Sequence, residues 1–266
     1  MSLSAFPPSL SAYLLFLAAV LGAVFASFAG CAVARHLCGE SVLHGRSHCD
    51  SCGATLGLAD LIPILSYLFL RGKCRRCGAK IPPLCPITEA LTAAAFPLLL
   101  WRYGLSLWTV GCMILCVLLL AIALVDLETY LIPDKLLLAG IVCFVLFGLL
   151  DGGLSRLWQG LLGGLTASVP LLILVLIMDK VLKKDSMGGG DIKLLFVIGL
   201  FLSWAEAIFL LITACVIGIL LGLTVLKRSD DPENPGAFPF GPAIVLAAVI
   251  SMLWAQPVTA WYLTLF

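Results

Sequence analysis

The chain has 266 residues, of which 62% are hydrophobic and 12% charged, and its mean hydropathy is +1.13. No soluble core encloses that much apolar side chain, so a water-soluble globular protein is excluded and an all-α polytopic membrane protein is indicated. A net charge of +1 gives no case for a nucleic-acid partner.

The first apolar run covers about residues 10–34. No Lys or Arg precedes it and it exceeds a signal-peptide core, so it reads as the first membrane helix. Crossing a hydrocarbon layer of ~30 Å takes ~20 apolar residues. Further spans are predicted at 87–101, 105–126, 136–150, 157–178, 192–204, 207–226 and 240–264. That makes about eight transmembrane helices. The second, fourth and sixth are short. The sixth, joined to the seventh by a turn at Ser203–Glu206, is expected to be re-entrant or to sit in a locally distorted bilayer.

The basic residues orient this layout. Loops 35–86, 127–135, 179–193 and 227–239 carry 7, 1, 4 and 2 Lys or Arg, while the other side carries only Arg102 and Arg156. A bias of 14 against 2 puts those loops inside and both termini outside. Residues 229–239 read as a polar, turn-rich loop, and no internal repeat is apparent.

The long inside loop holds Cys49, Cys52, Cys74 and Cys77 in the pattern C-x2-C-x21-C-x2-C. Each pair can place two thiolates on one ion, and four complete a closed tetrahedral zinc site. The competing reading is two disulfides, which a reducing cytoplasm disfavours. A site closed by four sulfurs has no open position, so the metal is expected to be structural. His48 adjoins Cys49 and can replace a ligand, although four cysteines suffice; His36 and His44 read as solvated. Cys31, Cys112, Cys116, Cys143 and Cys215 lie in apolar spans and read as small hydrophobes, and Cys38 and Cys85 have no partner spacing. Arg71, Lys73, Arg75, Arg76 and Lys80 read as an orientation signal that can meet anionic headgroups.

Acids beside membrane spans are costly, so each is a candidate. Asp126 ends the run "CVLLLAIALVD", where a carboxylate faces the unfavourable end of its own helix dipole. Asp134 follows Pro133 at a helix start, where a structural role is sufficient; Glu89, in "PITEAL", also sits in a first turn. Asp191 follows Gly188, Gly189 and Gly190. An N-cap does not need three glycines, but a close approach by an extended peptide does. Two carboxylates meeting across helices cannot both ionise easily, which leaves one as general base and one as general acid. That is aspartyl-protease chemistry. Paired carboxylates could also serve a metal-sensing transporter as a proton relay, which would be expected to place charges near midplane. A scaffold could use the cysteine loop for docking alone.

The segments "RSHCDSC", "LIPILSYLFLRGKCRRCGAKI", "VDLETYLIPD" and "GGGDIKLL", in that order, resemble the bacterial prepilin leader peptidases over nearly the whole chain. These are membrane aspartic proteases that process type IV pilins and type II secretion pseudopilins. The resemblance implies that Asp126 and Asp191 are catalytic and that the four cysteines bind zinc. It implies cleavage after a glycine that ends a short basic leader, then N-methylation with S-adenosylmethionine as donor. It divides the chain into 1–86, associated with methyl transfer, and 87–266, the peptidase domain. It implies a bacterial inner-membrane location with the active site at the cytoplasmic face, and partners that are prepilin substrates and lipid. The family's "GSFLNV" stands here as "ASFAGC", Asp50 replaces a proline, and Cys85 replaces an aromatic. All three departures fall in the N-terminal part, so a peptidase without methyl transfer is the alternative. No Gly-rich Rossmann fingerprint for the methyl donor is present.

Overall fold

The computed structural model describes residues 3–41, 45–183, 188–226 and 239–264. His44 and most of the expected 229–239 loop lie outside the described residues. Two compact units appear, Met1–Leu105 and Ser106–Phe266. The second long helix is grouped with the first because the two pack on each other.

In the first unit, α1 spans Pro8–Leu37. Pro8 opens it, where a missing N–H costs nothing, and Arg35 and His36 sit in its last turn, opposite the negative dipole end. α2 is a single turn, Leu65–Phe69, and α3 spans Leu84–Tyr103. Glycine at position 22 lets the backbones of α1 and α3 touch: a Cβ there would lie 2.5 Å from the Thr92 carbonyl oxygen. Phe25 and Phe96 close the seam with ring centroids 6.5 Å apart.

In the second unit, α4 spans Leu107–Thr129, and its N-cap Ser106 Oγ accepts the Thr109 N–H at 3.1 Å. α5 spans Asp134–Leu182 and is broken at Gly153, whose φ of 63° favours glycine. Arg156 bridges that break. It pairs with Asp151 at 3.1 Å, and its guanidinium lies 4.3 Å from the Trp108 ring centroid. Trp108, Phe144 and Phe201 pack on one another beside it. α6 spans Gly189–Gly199, α7 Trp204–Leu226 and α8 Gly241–Leu263. α6 and its C-terminal turn lie directly on the second half of α5: a Cβ at Gly163 would collide with the carbonyls of Leu202 and Gly199. The turn expected at Ser203–Glu206 is a capping box. Ser203 N–H donates to Glu206 Oε2 at 2.7 Å, and Glu206 N–H reaches Ser203 Oγ at 3.5 Å.

Six helices are long and apolar enough to cross a membrane, and the break at Gly153 makes α5 two such lengths. With α6 they make up the eight segments expected from the sequence, in an all-α polytopic membrane protein without strands among the described residues. α6 begins three residues earlier than expected and ends five earlier, so the glycines fall on its first turn. Its eleven residues reach only ~16 Å, short of a ~30 Å hydrocarbon layer, as the short sixth segment led one to expect. Leu115, Leu119 and Ile122 of α4, Leu194, Leu195 and Ile198 of α6 and Ile244 of α8 are fully buried and form the core beside the two aspartates.

Candidate active site and metal centre

Asp126 sits in the last turn of α4, just before Tyr130 ends the helix in a left-handed conformation, φ 56°. Its side chain is only 4% exposed. A buried carboxylate needs hydrogen-bond partners. Oδ2 accepts the N–H of Gly241 at 2.9 Å, the first residue of α8. The unfavourable position on its own helix is thus offset by the favourable N-terminal end of another. A Cβ at position 241 would stand 2.6 Å from that oxygen, so only glycine fits. Gly241 was missed in the sequence. Its only local signal is a glycine before Pro242, which reads as an ordinary helix start.

Asp191 lies in the first turn of α6, ahead of the apolar run, and its N–H donates to the Gly188 carbonyl at 3.2 Å. Burial, with the charge of Asp126 adding to it, pushes its carboxyl up to about 6. Beside them, Lys193 Nζ pairs with Asp134 Oδ1 at 2.8 Å and links the starts of α6 and α5. Asp134 thus has a structural partner, as its position suggested.

The three glycines divide. None has a positive φ. Gly190 is held by packing, since a Cβ there would meet Ile132 Cβ at 3.1 Å. Gly188 and Gly189 are exposed, and a Cβ on Gly189 would meet nothing within 4 Å. Left-handed geometry is therefore not what glycine supplies here. Next to this turn is a cavity of about 380 Å³ walled by Leu137, Leu138, Ile141, Phe196 and Val197, with Asp134 and Lys193 also lining it.

In the first unit, the sulfurs of Cys49, Cys52, Cys74 and Cys77 all lie within 4.8 Å of one another, and those of Cys49 and Cys77 are 3.8 Å apart. Sulfurs at ~2.3 Å from a tetrahedral zinc stand about 3.8 Å from each other, so the donor set fits that ion. Two turns of the same form present them. The Cys49 N–H donates to Ala54 and the Gly53 N–H to Cys49; the Cys74 N–H donates to Ala79 and the Gly78 N–H to Cys74. Gly53 and Gly78 have φ of 67° and 72°. A short repeat, Cys-x-x-Cys-Gly-Ala, thus occurs twice where no repeat was apparent. The backbone N–H groups of Cys77 and Arg76 pull the Cys74 thiol down to about 6, towards the thiolate a metal requires. His48 faces Glu40, with Nε2 3.9 Å from its carboxylate, and stands outside the four-sulfur cluster. All eleven cysteines are free, and Cys112, Cys116 and Cys143 are buried as small hydrophobes.

Residues 20–103 match the Bacterial Peptidase A24 N-terminal domain, and residues 113–223 match the Type IV leader peptidase family. Among similar proteins is a prepilin leader peptidase/N-methyltransferase of Bacillus subtilis (strain 168), 33% identical over 92% of this chain and 96% of that one. Another of the same name, from Aeromonas hydrophila, is 33% identical over 83% of this chain and 76% of its own. A third, from Pseudomonas aeruginosa, is 33% identical over 82% and 74%. No solved structure matches.

Proposed function

Because the chain belongs to the type IV leader peptidase family, we propose that it cleaves type IV prepilins with Asp126 and Asp191 as the catalytic carboxylates and N-methylates the product. The observation that supports the site assignment is a buried Asp126 in the last turn of α4, held by the Gly241 N–H, together with a half-buried Asp191 in the first turn of α6. A carboxylate pair that shares one proton suits peptide hydrolysis.

The substrate's apolar N-terminal helix lies in the bilayer beside α6, where the walls of the cavity are apolar. Its basic leader stays on the cytoplasmic side. The scissile segment unwinds and lies against Gly188 and Gly189, which leave room for a backbone. Gly190 holds the turn against Ile132. One carboxylate takes a proton from water as its oxygen attacks the glycine carbonyl. The other gives a proton to the leaving amine, which becomes the new N-terminus. Gly241 N–H holds the Asp126 carboxylate in place.

Methyl transfer onto that amine belongs to the first unit, with S-adenosylmethionine as donor. Zinc on Cys49, Cys52, Cys74 and Cys77 would hold the shape of the loop and take no part in either reaction. The enzyme resides in the bacterial inner membrane with both termini outside.

The assignment is tested by incubating detergent-purified Asp126→Asn and Asp191→Asn enzymes with a prepilin and labelled S-adenosylmethionine. Each should cut at least about a thousandfold more slowly than wild type. Each should still methylate a pre-cleaved pilin, which shows that the protein is folded. Wild-type cleavage by either variant refutes the pair.

A further inference from the structure

Between the two cysteine turns runs an apolar stretch. Ile62, Leu65, Leu68 and Phe69 are exposed, Leu68 by 64% and Phe69 by 83%. A cluster of that kind needs a covering partner. Its level along α1 and α3 identifies one.

α1 and α3 cross where Gly22 meets Thr92. About four turns of α1 lie on either side of Gly22, and about two turns of α3 precede Thr92 with about three after it. The crossing is therefore near mid-depth of both helices. Ile62, Pro63, Ile64 and Leu65 share a cavity of about 280 Å³ with Val20 and Val24 of α1 and Ala93 of α3. Val20, Gly22 and Val24 fall within one turn of each other, so the tip of the loop lies beside the middle of the helices, not beyond their ends. Val20 and Val24 are themselves exposed and apolar, which makes one continuous face.

Backbone at that depth must have its polar groups satisfied. α2 does so for Leu68 and Leu70, whose N–H groups donate to Ile64 and Ser66. The residue that starts the turn is Ile64, in a left-handed conformation with φ 61°. Its N–H donates to Glu89 Oε2 at 2.7 Å, and Glu89 is 8% exposed in α3, three residues before Thr92. Asp60 pairs with Arg75 at 2.9 Å just before the stretch begins, and Arg71 follows its end, so charges bracket it on both sides.

We infer that residues 61–70 form a re-entrant segment whose apolar face is covered by lipid acyl chains, and that Glu89 anchors its tip through the Ile64 N–H. This segment would then belong to the membrane, not to the aqueous loop that the charge pattern assigned it to.

The experiment uses the wild-type chain in liposomes that contain a phosphatidylcholine with a diazirine near the end of one acyl chain. A parallel sample receives a water-soluble diazirine. Peptide mapping should find acyl adducts on Ile62–Phe69 at a yield like that on Val24, and no aqueous adducts there. Aqueous labelling of Ile62–Leu65, or a lack of acyl adducts beside labelled Val24, overturns the insertion. Hydrogen exchange then tests the anchor. Glu89→Ala should speed exchange at Ile64 at least tenfold, while Glu89→Gln, which keeps an acceptor oxygen, should stay close to wild type. Unchanged exchange in folded Glu89→Ala removes the anchor. If that variant does not fold, Glu89→Gln decides, since tenfold faster exchange there also removes it.

Discussion

Gly241 and Asp126 are 115 residues apart in sequence, yet the N–H of one donates to the carboxylate of the other at 2.9 Å. The bond fixes the orientation of the acid, and the bare Cα leaves the only room for it. Gly241→Ala should therefore cut prepilin cleavage by about ten- to a hundredfold, on the scale of one lost hydrogen bond to a charged group. Methylation of pre-cleaved pilin should be unchanged. Steady-state assays of the two activities on one preparation check this, and an equal loss of both would mean that the variant has only misfolded.

Asp191 is poised near neutrality, at about 6. Its protonated form is favoured below that pH and is lost as pH rises through it. If the pair must share one proton, kcat/KM for cleavage should fall as pH increases above about 6. The limb belongs to the pair and not to Asp191 alone. Methyl transfer onto a pre-cleaved substrate should lack this limb. A pH–rate profile of each activity in detergent measures both, and an identical alkaline limb in the two would remove the assignment.

The cysteine cluster was legible, and the two aspartates stood out as candidates, because their chemistry is in residue type and spacing. A carboxylate at the wrong end of its helix stands out, and so does C-x2-C twice. Gly241 was not legible, since its role exists only once α8 meets α4. The glycines before Asp191 were half legible. Their closeness to something was expected, but Ile132 meets Gly190, Asp191 Oδ2 lies 3.9 Å from a Cβ on Gly188, and only Gly189 faces open space, which tertiary packing alone decides. α5 was read as two spans, 136–150 and 157–178. The chain breaks at Gly153 alone and resumes its helix at once, with Arg156 tying the two halves together.

Metal binding can be checked directly. Wild-type protein should carry one zinc per chain by elemental analysis, and Cys74→Ser should carry little or none. Removal of the ion should speed hydrogen exchange in residues 47–56 and 72–81 at least tenfold, because the sulfurs are what join the two turns. A wild-type protein free of metal, with slow exchange in both turns, would count against a metal role.

The seam between α5 and α6 makes a packing test. At Gly163 any side chain meets two carbonyls, whereas at Gly30 a Cβ would meet nothing within 4 Å. Gly163→Leu should destabilise the second unit by about 1–3 kcal/mol or prevent its folding. Gly30→Leu should be close to neutral. Thermal unfolding in detergent, followed on both variants, compares them, and similar losses at the two positions would contradict the close seam.

The four sulfurs turn residues 49–77 into a ring. Closing ~25 residues costs roughly 3 kcal/mol of chain entropy, well below the ~10–16 kcal/mol with which zinc binds small thiolate domains. A ring has a fixed circumference, and the apolar stretch inside it can extend only as far from the sulfurs as that circumference allows. Opened, the same residues become part of a slack tether of 46 residues between α1 and α3. Zinc scarcity would then act on this enzyme through its first unit, by changing how that unit meets its lipid.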